Sequence, residues 1–398
     1  MNDCGSPQTS LLTPFRLTVR EWLLENFPLS LAHKDSIALR SDPHVAATEP
    51  DFAVWRVRMA NKRWGAPTWP VELGGAGLSA DEAEIISEEM IRIGAFNPIR
   101  SNGLVMLGPT LLEFGSSEQK AEHIPRIARG EVRWCQGFSE PGAGSDLASL
   151  RTKCQDQGDH WLVSGQKIWT SFAHNADWCF ALVRTDSTKK HAGISFLLID
   201  MRSPGIRVRP LVLISGETHF CEVFFDDVQV PKRNLVGEVN DGWRVAIRLM
   251  QHERSGLSEG RGQGTDLLRL ARKYIGVDHD GRIADPDLRT RLIRHALRAQ
   301  VYTQTLHRKA ATAEALRSPI SDVSSLKNLG SSVAQERAAL AVEILGPSGL
   351  GCEGDGYTDQ ELEITRAWLH SKAFSIYGGT YEIQNNITSK KILGLPNG

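Results

Sequence analysis

The chain has 398 residues, 41% of them hydrophobic, more than one core can use, so two or three domains are expected. Lys and Arg number 46 against 47 Asp and Glu, a formal net charge of −1, and no basic block stands out, which argues against nucleic-acid binding. The six cysteines (Cys4, Cys135, Cys154, Cys179, Cys221 and Cys352) form no CxxC pair, and no His cluster has metal-ligand spacing. Neither a disulfide scaffold nor a bound metal is expected, and a reducing compartment fits best. Pro7, Pro14 and Pro28 interrupt the first thirty residues, and no apolar run approaches the roughly 20 residues of a membrane span, so a soluble cytoplasmic protein is expected.

In chain order, the pattern is helical from about residue 15 to 130. Ser79-x-x-Glu82 and Ser116-x-x-Gln119 read as capping boxes that open helices. Between them Trp69-Pro70, followed by Gly74, Gly75 and Gly77, can only be a loop. From about 133 to 232 short β-rich runs take over: Trp161 to Val163, Trp178 to Val183, Ile194 to Ile199 and Glu222 to Val228. No long helix crosses between them, so a small antiparallel β-domain is expected. Beyond 240, Leu288, Leu292, Ala299, Tyr302, Leu306, Ala310 and Ala313 repeat at helical spacing, as do Leu326, Leu329, Val333, Leu340 and Ile344. The expected fold is α+β, with domains at 1–132 (α-helical), 133–235 (antiparallel β) and 236–398 (α-helical bundle).

Three stretches have the composition of a ligand site. The loop from Gly137 to Asp146 carries three glycines, Pro141 and the hydroxyls of Ser139 and Ser145, which lets backbone amides approach a flat or anionic ligand; an ordinary exposed turn is the alternative. It is not a dinucleotide fingerprint, because no βαβ unit surrounds it. In Gly165 to Ser171, Trp169 beside Thr170 and Ser171 could stack on a planar ring while a hydroxyl donates to it, or be a core Trp. Gly378-Gly379-Thr380 before Ile383 and Ile387 reads as a helix start whose free amides suit a diphosphate, or as a plainly capped helix.

Taken together these stretches, with Trp69-Pro70, the run from Glu222 to Pro231 and the closing Gly378 to Gln384, resemble the acyl-CoA dehydrogenase family over nearly the whole chain. The resemblance implies the domain order above, with the middle domain an antiparallel β-barrel and the last a four-helix bundle, and FAD as cofactor. It places Phe138 and Ser139 at the isoalloxazine edge, Trp169 against the ring and Ser171 as donor to the hydride-accepting nitrogen. Thr380 and Glu382 match the FAD diphosphate region, and Ser145 the acyl-CoA thioester arm. The implied reaction is oxidation of an acyl-CoA to the trans-2-enoyl-CoA, with electrons passed to an electron-transfer flavoprotein, in a homodimer or homotetramer. A flavin-dependent hydroxylase or other elimination on the same fold, and a base-poor subunit of a hetero-oligomer, stay open.

Two departures from the family bear on the adenosine side of the cofactor: Arg272 to Gly276 and the lengthened stretch to Asp287 replace an Arg-containing Phe-Gly segment, and Glu343 stands where Gln is common. A third concerns the base. Most of the family carries a catalytic Glu where this chain has Gly378. Trp243, Ala246, Met250, Glu253 and Leu257 recur at spacings of three and four, so Glu253 shares a stripe with apolar residues, where burial would raise its pKa. The bland reading is a Glu paired with Arg254 or His252. A subset of the family has its base at this point of the first C-terminal helix, which selects Glu253, with Arg254 orienting the acid or the CoA arm.

Overall fold

The computed structural model describes residues 7–32, 34, 36–256, 266–316 and 321–396. The chain forms two compact units, one from Met1–Leu211 with Phe220–Glu253, the other from Val212–His219 with Arg254–Gly398.

The first unit begins with helices α1 (Pro7–Asn26), α2 (Ser36–Ser41), α3 (Pro43–Ala47), α4 (Pro50–Lys62), α5 (Ala80–Arg92), α6 (Gly108–Phe114) and α7 (Ser117–Ala128). Both predicted capping boxes form, at the starts of α5 and α7, with each Ser hydroxyl taking an N3 amide and the N3 side chain returning to the Ser amide. Val19, Leu23, Trp55, Met59, Ile86, Leu111 and Ile124 are buried between the helices. The loop before α5 needs its glycine: a Cβ on Gly75 would lie 2.2 Å from the Trp69 carbonyl oxygen.

Eight strands follow: β1 (Trp134–Gly137), β2 (Lys153–Asp156), β3 (His160–Ser171), β4 (Trp178–Arg184), β5 (Ile194–Asp200), β6 (Ile206–Leu211), β7 (Phe220–Pro231) and β8 (Leu235–Val236). They form one sheet in the order β6-β7-β3-β2-β4-β5-β8, with β1 paired to β4. Pairing is antiparallel except that β1 and the start of β2, at Lys153, run parallel to β4. The central strands β4 and β5 are buried on both faces, which is why they read as continuous apolar runs rather than alternating ones. After the sheet comes α8 (Gly242–Gly256), whose Val245, Ala246 and Leu249 join the core.

The second unit contains α9 (Leu267–Tyr274), α10 (Pro286–Leu316), α11 (Ser321–Leu345), α12 (Asp359–Ser371) and α13 (Tyr381–Ile387). Leu267, Leu270, Leu340, Ile344 and Ile364 form its core. The predicted α11 stripe is only half of what is buried. Val333, Leu340 and Ile344 are buried, but Ser324, Lys327, Asn328 and Ser331 are buried where Leu326 and Leu329 are only partly so. These polar groups hold the following chain: Lys327 donates to the Gly379 carbonyl (2.5 Å), Asn328 to Asn385 (2.9 Å) and Ser331 to the Phe374 carbonyl (2.8 Å). Among the described residues no helix is long and apolar enough to cross a membrane.

One buried carboxylate joins α1 to α5. Glu89, 2% exposed, accepts from Arg16 (3.2 Å), from Arg20 (2.9 and 3.0 Å) and from Arg92 (2.8 Å). The Arg20 hydrogen bond leads in holding its carboxyl at about 2, despite burial. A depressed carboxyl stabilises the fold above its unfolded value of roughly 4.3 and loses that contribution as pH falls through the folded value. Replacing Glu89 with Gln should therefore destabilise the protein by about 1.5–3 kcal/mol at pH 7. In urea unfolding, the gap between parent and Glu89→Gln should be constant above pH 5 and shrink as pH drops toward 2.

Candidate active site

The loop Gly137 to Asp146 leaves β1 and is held from beneath by one buried ion pair. Lys167 on β3 is fully buried; its ammonium donates to Glu140 Oε1 (2.8 Å) and to the Phe138 carbonyl (3.1 Å). Glu140, 9% exposed, also takes the amides of Arg151 (2.6 Å) and Thr152 (2.9 Å). Burial pushes the Glu140 carboxyl up, but Lys167 and the amide donors outweigh it, and the group sits below the usual carboxylate range. Burial likewise draws Lys167 below its ordinary value against the pull of Glu140. Reciprocal backbone bonds between Glu140 and Ala143, both 3.0 Å, close the turn above the pair.

The glycines of the turn have no internal reason to be glycine. A Cβ on Gly142 or Gly144 would meet nothing within 4 Å, and neither residue has a positive φ. Their free face, with exposed Ser145, suits close approach of a ligand to the backbone.

Beside this loop, the Ile168 amide donates to the Ser139 carbonyl (2.9 Å), and β3 then bulges between Lys167 and Thr170. At the bulge Trp169 takes φ +61°, a left-handed conformation that is strained for a bulky side chain. Its indole is 56% exposed and packs edge-on against Phe220, at 6.0 Å and 86°. The core-Trp alternative is thereby excluded. Ser171 is partly buried opposite Phe220 on β7. Phe138 is buried edge-on to Phe180 and Phe196, so what it offers a ligand is backbone. Ser139 is partly buried.

Glu253 and Arg254 belong to α8, but their side chains lie outside the described residues, as does Leu257. The buried face is carried by Val245, Ala246 and Leu249, while Trp243 and Met250 are only half-buried. Position 253 lies four residues beyond Leu249, on the continuation of that face.

In the second unit Thr380 caps α13, accepting the Ile383 amide at 3.3 Å. Glu382 is exposed, and its carboxyl is held below the usual range by its own amide and the Thr380 hydroxyl. Gly378 and Gly379 have φ +65° and +89°. A Cβ at Gly378 would meet only Lys327 Cε at 3.9 Å, so the backbone conformation rather than lack of space favours glycine there.

Known proteins share this architecture and these stretches. Residues 33–131, 135–228 and 240–393 match the N-terminal, middle and C-terminal domains of acyl-CoA dehydrogenases. The acyl-CoA dehydrogenase IpdE1 of Mycobacterium tuberculosis is 37% identical over 390 residues, covering 96% of this chain and 97% of that one. Among solved structures, the Tcur3481-Tcur3483 steroid ACAD superposes with a TM-score of 0.81 at 26% identity, over 100% of both chains. The ChsE4-ChsE5 complex from Mycobacterium tuberculosis does so at 0.76 and 29%, again over 100% of both. The chain belongs to the acyl-CoA dehydrogenase family. It is an oxidoreductase of a family that binds FAD, built as a helical domain, a sheet domain and a second helical domain.

The pair Lys167–Glu140 has no signature in the sequence, because nothing in a spacing of 27 residues announces the contact. Its removal is measurable. Lys167→Met strands a buried carboxylate and should cost about 3–5 kcal/mol in urea unfolding. Adding Glu140→Gln should recover a substantial part, so that the two changes are strongly non-additive in a double-mutant cycle.

Proposed function

We propose that this chain oxidises an acyl-CoA thioester to its trans-2-enoyl-CoA, with Glu253 as the base. The observation that carries the reading is Trp169: an exposed indole, held in strained backbone conformation beside an open glycine turn, is a surface built to receive a planar ring. The ring is the flavin of FAD, which when bound accepts the hydride from the β-carbon. Trp169 packs against it, Ser171 donates a hydrogen bond, and Phe138 and Ser139 present backbone to its edge. Ser145 contacts the thioester arm. Thr380 and Glu382 serve the distal part of the cofactor; an ionised carboxylate accepts only, so Glu382 suits a ribose hydroxyl better than a phosphate oxygen.

Glu253 removes the proton next to the thioester carbonyl, and Arg254 orients it or the CoA arm. What supports this is the spacing: position 253 follows Val245, Ala246 and Leu249 on the helical repeat of α8. Electrons then leave to an electron-transfer flavoprotein.

The reading is tested by anaerobic flavin bleaching with straight, branched, aromatic, dicarboxylic and steroid side-chain acyl-CoA thioesters; a steroid ACAD among the structural relatives motivates the bulky members. At least one should bleach the flavin. Glu253→Gln should keep FAD and bind the thioester, while flavin reduction slows by about 10²–10⁴-fold or more. Reduction at the parental rate would remove Glu253 from the mechanism.

A second observation bears on assembly. Glu343, where the family commonly has Gln, is engaged by Arg291 of α10 at 2.6 Å. A carboxylate committed in this way is a poor adenosine contact, which favours an oligomer whose other chain supplies that part of the cofactor site. The relatives titled Tcur3481-Tcur3483 and ChsE4-ChsE5 each name two chains. Ile293, Leu297 and Val301 lie 56%, 62% and 58% exposed at four-residue spacing on α10, an apolar stripe suited to such a partner. Light scattering should show at least a dimer. FAD retained more tightly when a second, non-identical chain is co-expressed than in the protein alone is expected for the mixed assembly; equal retention in a homo-oligomer would overturn it.

A further inference from the structure

Between β6 and β7 the chain makes a tight turn, with the Gly216 amide bonded to the Leu213 carbonyl and the Leu213 amide to the Glu217 carbonyl, both at 2.9 Å. This segment belongs to the second unit, where it meets α12. Three side chains able to ligate a metal converge there. His219 Nε2 lies 3.1 Å, and His370 Nδ1 3.7 Å, from the same oxygen, Glu217 Oε2. All three ligating atoms fall within 4.8 Å of one another, and the two imidazoles stand at 83°.

Tetrahedral coordination with bonds of about 2.0–2.2 Å puts neighbouring ligand atoms about 3.3 Å apart. Two of the three separations are already within a few tenths of an ångström of that value. Closing the third needs only side-chain torsion, since each group is partly exposed, at 36% for Glu217, 31% for His219 and 26% for His370.

A neighbouring hydroxyl already holds the carboxylate in place. The Ser215 hydroxyl donates to Glu217 Oε2 at 2.9 Å, the outer hydrogen bond that orients a metal-bound carboxylate. Glu217 also lines a cavity with Ser215, Gly216, Cys352, Glu353 and Arg366, which gives an ion a path in and a water a place beside it.

We propose that Glu217, His219 and His370 bind one divalent transition-metal ion of the zinc type, with the remaining position open to water. Two imidazoles and one carboxylate suit Zn²⁺ and its borderline neighbours, whereas Mg²⁺ and Ca²⁺ require oxygen ligands. The ion ties the 212–219 turn to α12. The sequence concealed the site because its ligands come from segments far apart, and Glu217-x-His219 alone has no diagnostic spacing.

The test uses tag-free, full-length holoprotein, stripped with a chelator and dialysed to equilibrium against Zn²⁺, with bound metal measured by mass spectrometry. One Zn²⁺ per chain is expected, not displaced by excess Mg²⁺. Loss of an outer-shell partner already costs 10–100-fold in affinity, so His370→Ala and Glu217→Gln, which remove ligands, should weaken binding by about 100-fold or more. Their FAD content and circular dichroism should be unchanged. Zn²⁺ should raise the thermal midpoint of the parent and not of His370→Ala. Should His370→Ala fail to fold, His219→Asn on the exposed turn carries the same comparison. No uptake by the parent, displacement by Mg²⁺, or equal uptake by the folded variants overturns the site and leaves the three groups as an ion-pair cluster.

Discussion

The buried contact between Lys167 and Glu140 is what the exposed glycine turn and the β3 bulge of the first unit depend on. A fully buried ammonium and a nearly buried carboxylate are tolerated only because each is satisfied, Lys167 by Glu140 and the Phe138 carbonyl, Glu140 by two further amides. The pair joins the loop after β1, the start of β2 and the middle of β3 at one point. Above it the glycine turn is open to a ligand, and beside it β3 bulges and turns the Trp169 indole outward. Removing either charge would release three segments at once. Strain at Trp169 persists because the surrounding sheet holds residues on both sides of the bulge in register with β7.

The base shows a different trade. Gly378 and Gly379 adopt left-handed conformations, anchored by Gln384 on the Gly378 carbonyl and Lys327 on the Gly379 carbonyl. An L side chain at Gly378 would have room but would carry a conformational cost of about 1–2 kcal/mol. Where the resemblance leads one to expect an acid, the chain has a turn that glycine makes best. The task of proton removal falls, in our proposal, to the helix α8.

Much of this was legible from residue types. Ser79 and Ser116 announced their helices three residues ahead, since a capping box is local chemistry. The apolar runs of β4 and β5 announced themselves through length and β-branched or aromatic content. Strands β1, β2 and β6 did not. β1 and β2 are only four residues long, and β6, though it alternates, buries none of its residues fully and carries Arg207, Arg209 and Pro210. The first half of α11 misled for the opposite reason: its leucines suggested an apolar seam, yet the buried positions are Ser324, Lys327, Asn328 and Ser331, which hydrogen-bond chain some fifty residues further on. Periodicity reports where apolar side chains recur, and it is silent about polar groups that are buried because a distant carbonyl receives them.

By itself the sequence determined the family, the order of helical and sheet regions, and the candidate residues Phe138, Ser139, Ser145, Trp169, Ser171, Glu253, Arg254, Thr380 and Glu382, because motifs and capping signals are properties of neighbouring residues. Only the tertiary structure decided that the Trp169 indole faces outward, that Lys167 and Glu140 share one buried contact, that Glu343 is committed to Arg291, and that Glu217, His219 and His370 meet. Each of those depends on which segments far apart in the chain are brought within a few ångströms of each other. That is settled by the packing of whole elements and leaves no local trace in the order of the residues.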